Sequence, residues 1–591
     1  MTTQLIPLNL DLPARLGLNS EAVSGGLDSR WAAKAENCVF DEFGRLCARK
    51  AFKKDTTTPI SGNPTMDTLF EYVKSTSQTF MISVNSDAEI RHGTTTLTDV
   101  TGSLSFTDTH FQFANFDGKL VGASQGEDPV HWDGTSNFVT LYSTIPNNYA
   151  TATAYVLGDI VKPVASATTD YYLVCTTAGT TAGTEPTWSA VNGATTTDNT
   201  ATWTTVTYPK GRCILSAYGR VWILSEDRTT IRYSALGLAY DFSTTNGGGL
   251  IDTTAIFGRN DDSVTAIATF NNNLVIFSRF NTLIYSNISD PSNLTIVDQV
   301  VGTGCIARDT VENIGNDIIF LSYQGLRSLG RTIQLEKVPL QDLSVNVRNE
   351  VIAEVQSNLV GVTNDEAIKS TYSPVDGIYI LKLGNYYYVF DFKKSFPSDN
   401  DINFIPPRIT TWGGGFGADS ITLSRDGTIY AAKAGAVGTY SGYSEWGLDT
   451  DGTYAENIPY LMTYRSAWTH MGEVSPELAN RIKMVKKIYG SFKGGIGYDI
   501  DFVLGYDFRD NETRRTKSLA VSNGDQWSLG EWGLAEWSGN TENRNAFANM
   551  AGSGERIQLG IDCNINGAGF CIQTLTVFIK LGRLERGSTK Q

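Results

Sequence analysis

The residues best suited to chemistry stand far apart in this chain. Its four histidines, His92, His110, His131 and His470, form no HExxH arrangement, and none lies at metal-ligand spacing from another. A zinc hydrolase needs such spacing to bring two imidazoles to one ion. No GxSxG elbow and no GxxxxGK(S/T) loop occurs, so the usual starting points for acyl and phosphoryl transfer are missing. Trp412-Gly413-Gly414-Gly415-Phe416-Gly417 is rich in glycine but has neither GxGxxG spacing nor a following helix. It reads as a hairpin or loop rather than a phosphate cradle. The sequence therefore points to no catalytic residue, no cofactor and no metal.

Two weaker signals remain. Ser424-Arg425-Asp426-Gly427-Thr428 is faintly similar to the Asp-box turn of sialidases, but its spacing differs and no other segment repeats it. Glycoside hydrolysis needs a placed pair of carboxylates, and none stands out. The second signal is aromatic: Tyr172, Trp188 and Trp203 lie in a Thr-, Ala- and Gly-rich stretch. Exposed aromatic faces stack on sugars, so these three are candidate glycan or partner contacts. A small domain also needs its large side chains for a core, and that reading is preferred for at least one tryptophan. Trp527, Trp532 and Trp537 recur at five-residue spacing, which fits caps of turns against a core better than a ligand cluster.

The seven cysteines, Cys38, Cys47, Cys175, Cys213, Cys305, Cys563 and Cys571, contain no CxxC pair. Reduced, buried thiols are the favoured reading. Cys563 and Cys571 fall near one hairpin, which alone does not make a disulfide.

What must position these residues is a repeated phrase: a Gly, Asp or Asn turn, then four or five apolar residues. Copies begin near 79, 117, 219, 273, 317, 377 and 426, among them Tyr218-Gly219-Arg220-Val221-Trp222-Ile223-Leu224 and Asp376-Gly377-Ile378-Tyr379-Ile380-Leu381. Strand-and-turn repeats at a period of roughly 40 to 50 residues are the mark of a β-propeller, in which packed blades bury one another's faces. Six or seven blades are expected. One interval, 117 to 219, is about twice the others, and the Thr/Ala/Gly-rich stretch 149–206 accounts for the excess. That stretch reads as an inserted small β module resembling carbohydrate-binding modules, and its deletion is expected to be tolerated.

The expected organisation is mainly β. It comprises a β platform segment at 1–64, propeller at 65–148, the insert at 149–206, propeller again at 207–450, and a C-terminal β domain at 451–591. Ser29 to Ala35 suggests one helical turn. Leu343 to Glu366, with Val345, Val347, Val351, Ile352 and Val355 at mixed helical spacing, suggests a helix packed on a blade. The net charge is −15, from 62 acidic and 47 basic residues, without a Lys/Arg run. Tight phosphate binding needs clustered cations, so nucleic acid is disfavoured as a tightly held ligand. Met1-Thr2-Thr3-Gln4 opens no basic, apolar leader, so no secretory signal is expected. No apolar run is long enough to span a membrane.

Arg15-Leu16-Gly17-Leu18-Asn19, Gly26-Leu27-Asp28, Ala35-Glu36-Asn37-Cys38-Val39 and Gly44-Arg45-Leu46-Cys47-Ala48-Arg49-Lys50 resemble the opening of short-tailed bacteriophage (podovirus) tail proteins. These are the tail nozzle, tail tubular protein B and tail-hub DNA-stabilisation proteins. The order of propeller and Trp/Gly-rich terminal domain is similar too. The resemblance implies a structural virion protein, assembled in the host cytoplasm into the tail. Six copies would form a ring below the portal-adaptor (head-to-tail connector) protein. That ring continues the DNA channel, retains the genome, conducts it at ejection and anchors tail fibres or tailspikes. The channel would run between subunits, and viral double-stranded DNA would pass without tight binding. The insert departs from the simplest pattern of the family. Two other function classes stay open: a tail-associated propeller glycan hydrolase or depolymerase, and a receptor-binding adhesin.

Overall fold

Each copy of the repeated phrase opens the second strand of an antiparallel sheet. The computed structural model describes residues 5–22, 26–165, 170–257, 262–315, 317–330, 342–358, 364–393, 406–413, 416–448, 454–472, 476–479, 481–509, 511–519 and 543–584. The chain is mainly β. Seven sheets, numbered I to VII here, have second strands Gln78–Val84, Lys119–Ala123, Arg220–Leu224, Asn273–Ser278, Asp317–Ser322, Ile378–Leu383 and Ile429–Lys433. Within each sheet the strands that follow one another in the chain pair in that order, and sheets VI and VII are extended by strands from the N-terminal segment. Tight turns set this local form: Asp117 and Gly118 have φ of 48° and 66°, and Tyr218 and Gly219 have 51° and 69°. Paired positive φ values match the right-handed twist of a hairpin.

The first strands lie side by side in chain order. Thr68–Ser75 neighbours Gln112–Phe116, which neighbours Cys213–Ala217, which neighbours Val264–Phe270. The 3-10 turn Arg308–Thr310 stands between that strand and Lys369–Ser373 of sheet VI, which also touches Glu312–Ile314 of sheet V. Ser420–Leu423 of sheet VII lies against sheet VI on one side and returns to Thr68–Ser75 on the other. An apolar core fills each gap. Phe113 and Trp132 lie between I and II, Ile276 and Trp222 between III and IV, Phe277 and Phe320 between IV and V, and Met81 and Val437 between VII and I.

Strands from both ends of the described chain join these sheets. Phe52–Lys54 pairs with Ala436–Tyr440 as the outermost strand of sheet VII, so the N-terminal segment does not end as a separate platform. Trp31–Glu36, where a helical turn was expected, is a strand inserted between Arg408–Trp412 of sheet VI and Tyr460–Ser466. Its hydrogen bonds are taken by these neighbours on either side, and strand pairing overrides the weak local helical signal. Through it sheet VI runs on into the C-terminal strands as one ten-stranded sheet. A second sheet, built on Arg481–Gly494 and Phe570–Leu584, faces it across a core containing Ile488, Phe492, Phe502, Ile561 and Val577.

The expected helix is shorter than its pattern: a 3-10 turn Val345–Val347, helix α1 at Arg348–Asn358, and a 3-10 turn Asn364–Ala367. Val351 and Val355 of α1 join the core of sheets V and VI. The cysteine expectation needs a correction. Cys47 and Cys571 stand opposite one another on paired strands and form a disulfide, while Cys38, Cys175, Cys213, Cys305 and Cys563 are buried and outside it. The partner of Cys571 is thus a strand neighbour 524 residues away, not Cys563. The cluster of Trp527, Trp532 and Trp537 lies outside the described residues.

Candidate functional site

The first strands converge on a cavity of about 260 Å³, walled by residues of sheets I, II, III, V, VI and VII. Its charged lining comes from Arg308, Asp309, Glu312 and Lys369. All four lie in or just before a first strand. The same position in sheets II, III and VI carries Asp108 and His110, Arg212, and Glu366. Entry segments of equivalent strands meet at one end of the ring, so residues hundreds apart in sequence become neighbours.

Arg308 holds this end together. Its side chain is wholly buried. One guanidinium nitrogen donates to the carbonyl of Arg212 and another to the carbonyl of His110. Asp309 lies 3.4 Å from its Nε and Glu366 lies 3.5 Å from its Nη1. Arg212, equally buried, places Nη2 at 3.1 Å from Glu366 Oε1. Burial opposes the charge of Arg308, but Asp309 and Glu366 outweigh it, and the guanidinium stays firmly charged.

Beneath this end sit two carboxyls in contrasting states. Burial opposes ionisation of Asp309, but Lys369, whose Nζ is 2.6 Å away, and Arg308 prevail and hold the carboxyl at about 2. Glu312 is half-buried on the cavity wall. Burial pushes its carboxyl up to about 8, against a hydrogen bond donated by the Ser370 hydroxyl at 3.2 Å and with the help of the Asp309 charge. The Ser370 hydroxyl also reaches the Asp309 carbonyl, at 3.1 Å. At neutral pH the cavity thus pairs a carboxylate with a neutral acid. Such a pair can hold a polar ligand or exchange a proton.

None of these groups was named as a site residue from sequence. The usable signal was positional, charged residues recurring just before the first strand of successive repeats, and it needs the fold to be read. The sequence candidates lie elsewhere, in the insert. Tyr172 and Trp203 are fully buried and Trp188 is 8 % exposed. Trp188 and Trp203 pack edge-to-face with Tyr149, and the Trp188 indole N–H donates to Glu185 at 2.7 Å. As packed, none of the three presents a ring face for stacking on a sugar.

Tyr172 shows why the insert is not a loose appendage. Along Tyr171–Thr177 the side chains alternate. Tyr171, Leu173 and Cys175 face the insert's own core, whereas Tyr172 and Val174 face a core shared with Val121 of sheet II and Ile223 and Phe242 of sheet III. The Tyr172 hydroxyl donates to Asp241 at 3.1 Å and accepts the Phe242 N–H at 2.6 Å.

The Asp-box-like turn is a cross-link between sheets. The Ser424 hydroxyl and the Arg425 N–H both donate to Glu71 of sheet I, at 2.5 and 2.6 Å. At the glycine-rich segment Trp412 and Phe416 are fully buried. They flank Arg49, whose guanidinium carbon is 5.0 Å from the Phe416 ring centre and 4.3 Å from that of Tyr460. Arg49 pairs with Glu445, both without solvent exposure, and Asn37 accepts from its Nε at 2.9 Å.

No family model and no curated protein matches the chain. Among solved structures it is similar to the extracellular domain of a one-component system from B. thetaiotaomicron, with 9% identity over 70% of this chain and 57% of that chain, at a TM-score of 0.25. The extracellular domain of a hybrid two-component system from the same organism gives 10% identity over 71% and 57%, at 0.24. Streptogramin B lyase gives 13% identity over 57% of this chain and 94% of that chain, at 0.23.

Proposed function

We propose that this chain is a structural subunit of a short phage tail, a nozzle or hub that rings the DNA path below the portal-adaptor and anchors fibres or tailspikes. In this reading the seven sheets are the blades of a closed seven-bladed propeller, with Phe52–Lys54 fastening the last blade. The observation that carries the reading is the continuous ten-stranded sheet that joins sheet VI to the strands of both chain ends. A ring under mechanical load needs its propeller fixed rigidly to the part that contacts its neighbours, and shared backbone hydrogen bonds do this. The Arg49–Glu445 pair and the shared insert core work in the same direction. The resemblance of the N-terminal phrases to podovirus tail proteins supplies the biological setting. Phage whose copy of this reading frame carries a stop codon should fill heads yet yield non-infectious particles that lose their DNA. Infectious, DNA-retaining particles without the chain would overturn the proposal.

The contrast between Glu312 and Asp309 favours one second reading, hydrolysis of a glycan in the axial cavity. Under the structural reading the purified chain releases no reducing ends from host surface polysaccharide. Release that disappears in Glu312→Gln would move the protein into the enzyme class.

A further inference from the structure

We propose that Asp108, His110 and Glu366 form a binding site for a divalent first-row transition ion of the zinc class. This is independent of the tail reading. Asp108 and His110 are two residues apart in the segment that leads into Gln112–Phe116, a turn closed by the Phe111 N–H donating to the Thr109 carbonyl at 3.0 Å. Glu366 arrives from the 3-10 turn Asn364–Ala367, ahead of sheet VI. His110 Nδ1 lies 3.3 Å from Asp108 Oδ1 and 3.8 Å from Glu366 Oε2. One ligand atom from each of the three residues falls within 4.8 Å of the other two. Ligands about 2.1 Å from a tetrahedral zinc stand roughly 3.4 Å apart, so closure onto an ion needs only small side-chain adjustments.

Asp108 Oδ1 accepts the His110 backbone N–H at 3.1 Å, and the second oxygen of each carboxylate is engaged as well. Asp108 Oδ2 accepts the Ser124 hydroxyl at 2.6 Å and the Gln125 N–H at 2.8 Å. Glu366 Oε1 faces Arg212 and Arg308 at 3.1 and 3.5 Å. Outer partners of this kind fix a ligand's free lone pair toward the ion. One imidazole with two carboxylates suits zinc, cobalt or manganese better than calcium or magnesium. The side chains of His110, Asp108 and Glu366 are 30%, 18% and 12% exposed, leaving a way in and an open fourth position. The two arginines temper affinity, and micromolar rather than structural-zinc binding follows. The bound ion would tie the entry of sheet II to that of sheet VI across the ring, beside the Arg308 crossing.

The other donor group, Asp41 with Cys47 and Cys571, is no rival, because its two sulfurs are bonded to each other.

The full chain, stripped with chelator, is titrated with zinc against a chromophoric competitor, and its melting is followed with and without the ion. One equivalent should bind at micromolar concentration and raise the melting temperature. His110→Ala and Glu366→Gln should each weaken binding by at least about tenfold and abolish the rise. His92→Ala, in sheet I, should leave both unchanged. His110 belongs to none of the apolar clusters, so its alanine variant is expected to fold, and the melt of the ion-free variant checks this. Failure of the wild-type chain to bind stoichiometrically, or full-strength binding by folded His110→Ala, would overturn the proposal.

Discussion

The contact between Arg49 and Glu445 joins the N-terminal segment to the strand Glu445–Leu448, which pairs with Tyr454–Ile458 as a separate two-stranded sheet, and both charges are fully buried. Removing one member of such a pair leaves an uncompensated charge. Glu445→Gln should therefore destabilise the fold by about 3–5 kcal/mol, read from the chemical-denaturation midpoint. The double change Arg49→Met with Glu445→Leu should recover much of the loss. A loss below about 1 kcal/mol, the level of an exposed pair, would mean that the junction does not depend on it. Glu312 gives a pH signature instead. Its folded-state value is raised from 4.5 to about 8. Below pH 4.5 both states hold the proton and nothing is lost. As pH climbs from there through about 8 the unfolded chain ionises first, and stability falls. Glu312→Gln removes this slope, so the variant's melting temperature should gain on the wild type between pH 5 and 9. Parallel profiles would show that the carboxyl titrates normally.

At the scale of elements, many of the strands and hairpins were legible. All seven copies of the phrase begin at or within two or three residues of a second strand, because a positive-φ turn followed by an apolar run marks a hairpin from local sequence alone. The outer strands were not legible. Thr98–Asp99 and Val139–Thr140 span two residues each, too few to show a period. Phe52–Lys54 and the Cys47–Cys571 bond depend on neighbours hundreds of residues away. The charged end of the axial cavity was invisible for the same reason: Arg308 reaches His110 and Glu366 through topology, not through spacing. The insert was found by composition, which left its role open and led to the expectation that its deletion is tolerated. Domain insertion is tolerated where few contacts cross the boundary, and here Tyr172 and Val174 complete the core of sheets II and III. Deleting 149–206 should therefore yield aggregated or non-cooperatively melting protein. Tyr172→Phe, which leaves Asp241 without its hydroxyl donor, should lower stability by about 1–3 kcal/mol. A soluble deletion variant with the parent's melting transition would restore the picture of a separable module.

For the whole molecule the question is where DNA would pass. The axial cavity holds about 260 Å³ and Arg308 crosses one end of it, so a duplex cannot thread the ring of sheets. If the chain conducts DNA, the path lies between copies. The net charge of −15 then suits a wall that does not grip phosphate. Duplex binding by the assembled ring should be weak and should not show the steep salt slope of a cationic lumen. Among the described residues no helix is long and apolar enough to cross a membrane. The most direct test of the account is an electron cryo-microscopy reconstruction of the tail, without imposed symmetry, in particles that contain this chain. The account predicts six copies in one ring below the portal-adaptor, their sheet rings side by side and DNA density on the axis between them. A trimeric spike, DNA density inside a single chain's ring, or tails lacking the chain would contradict it.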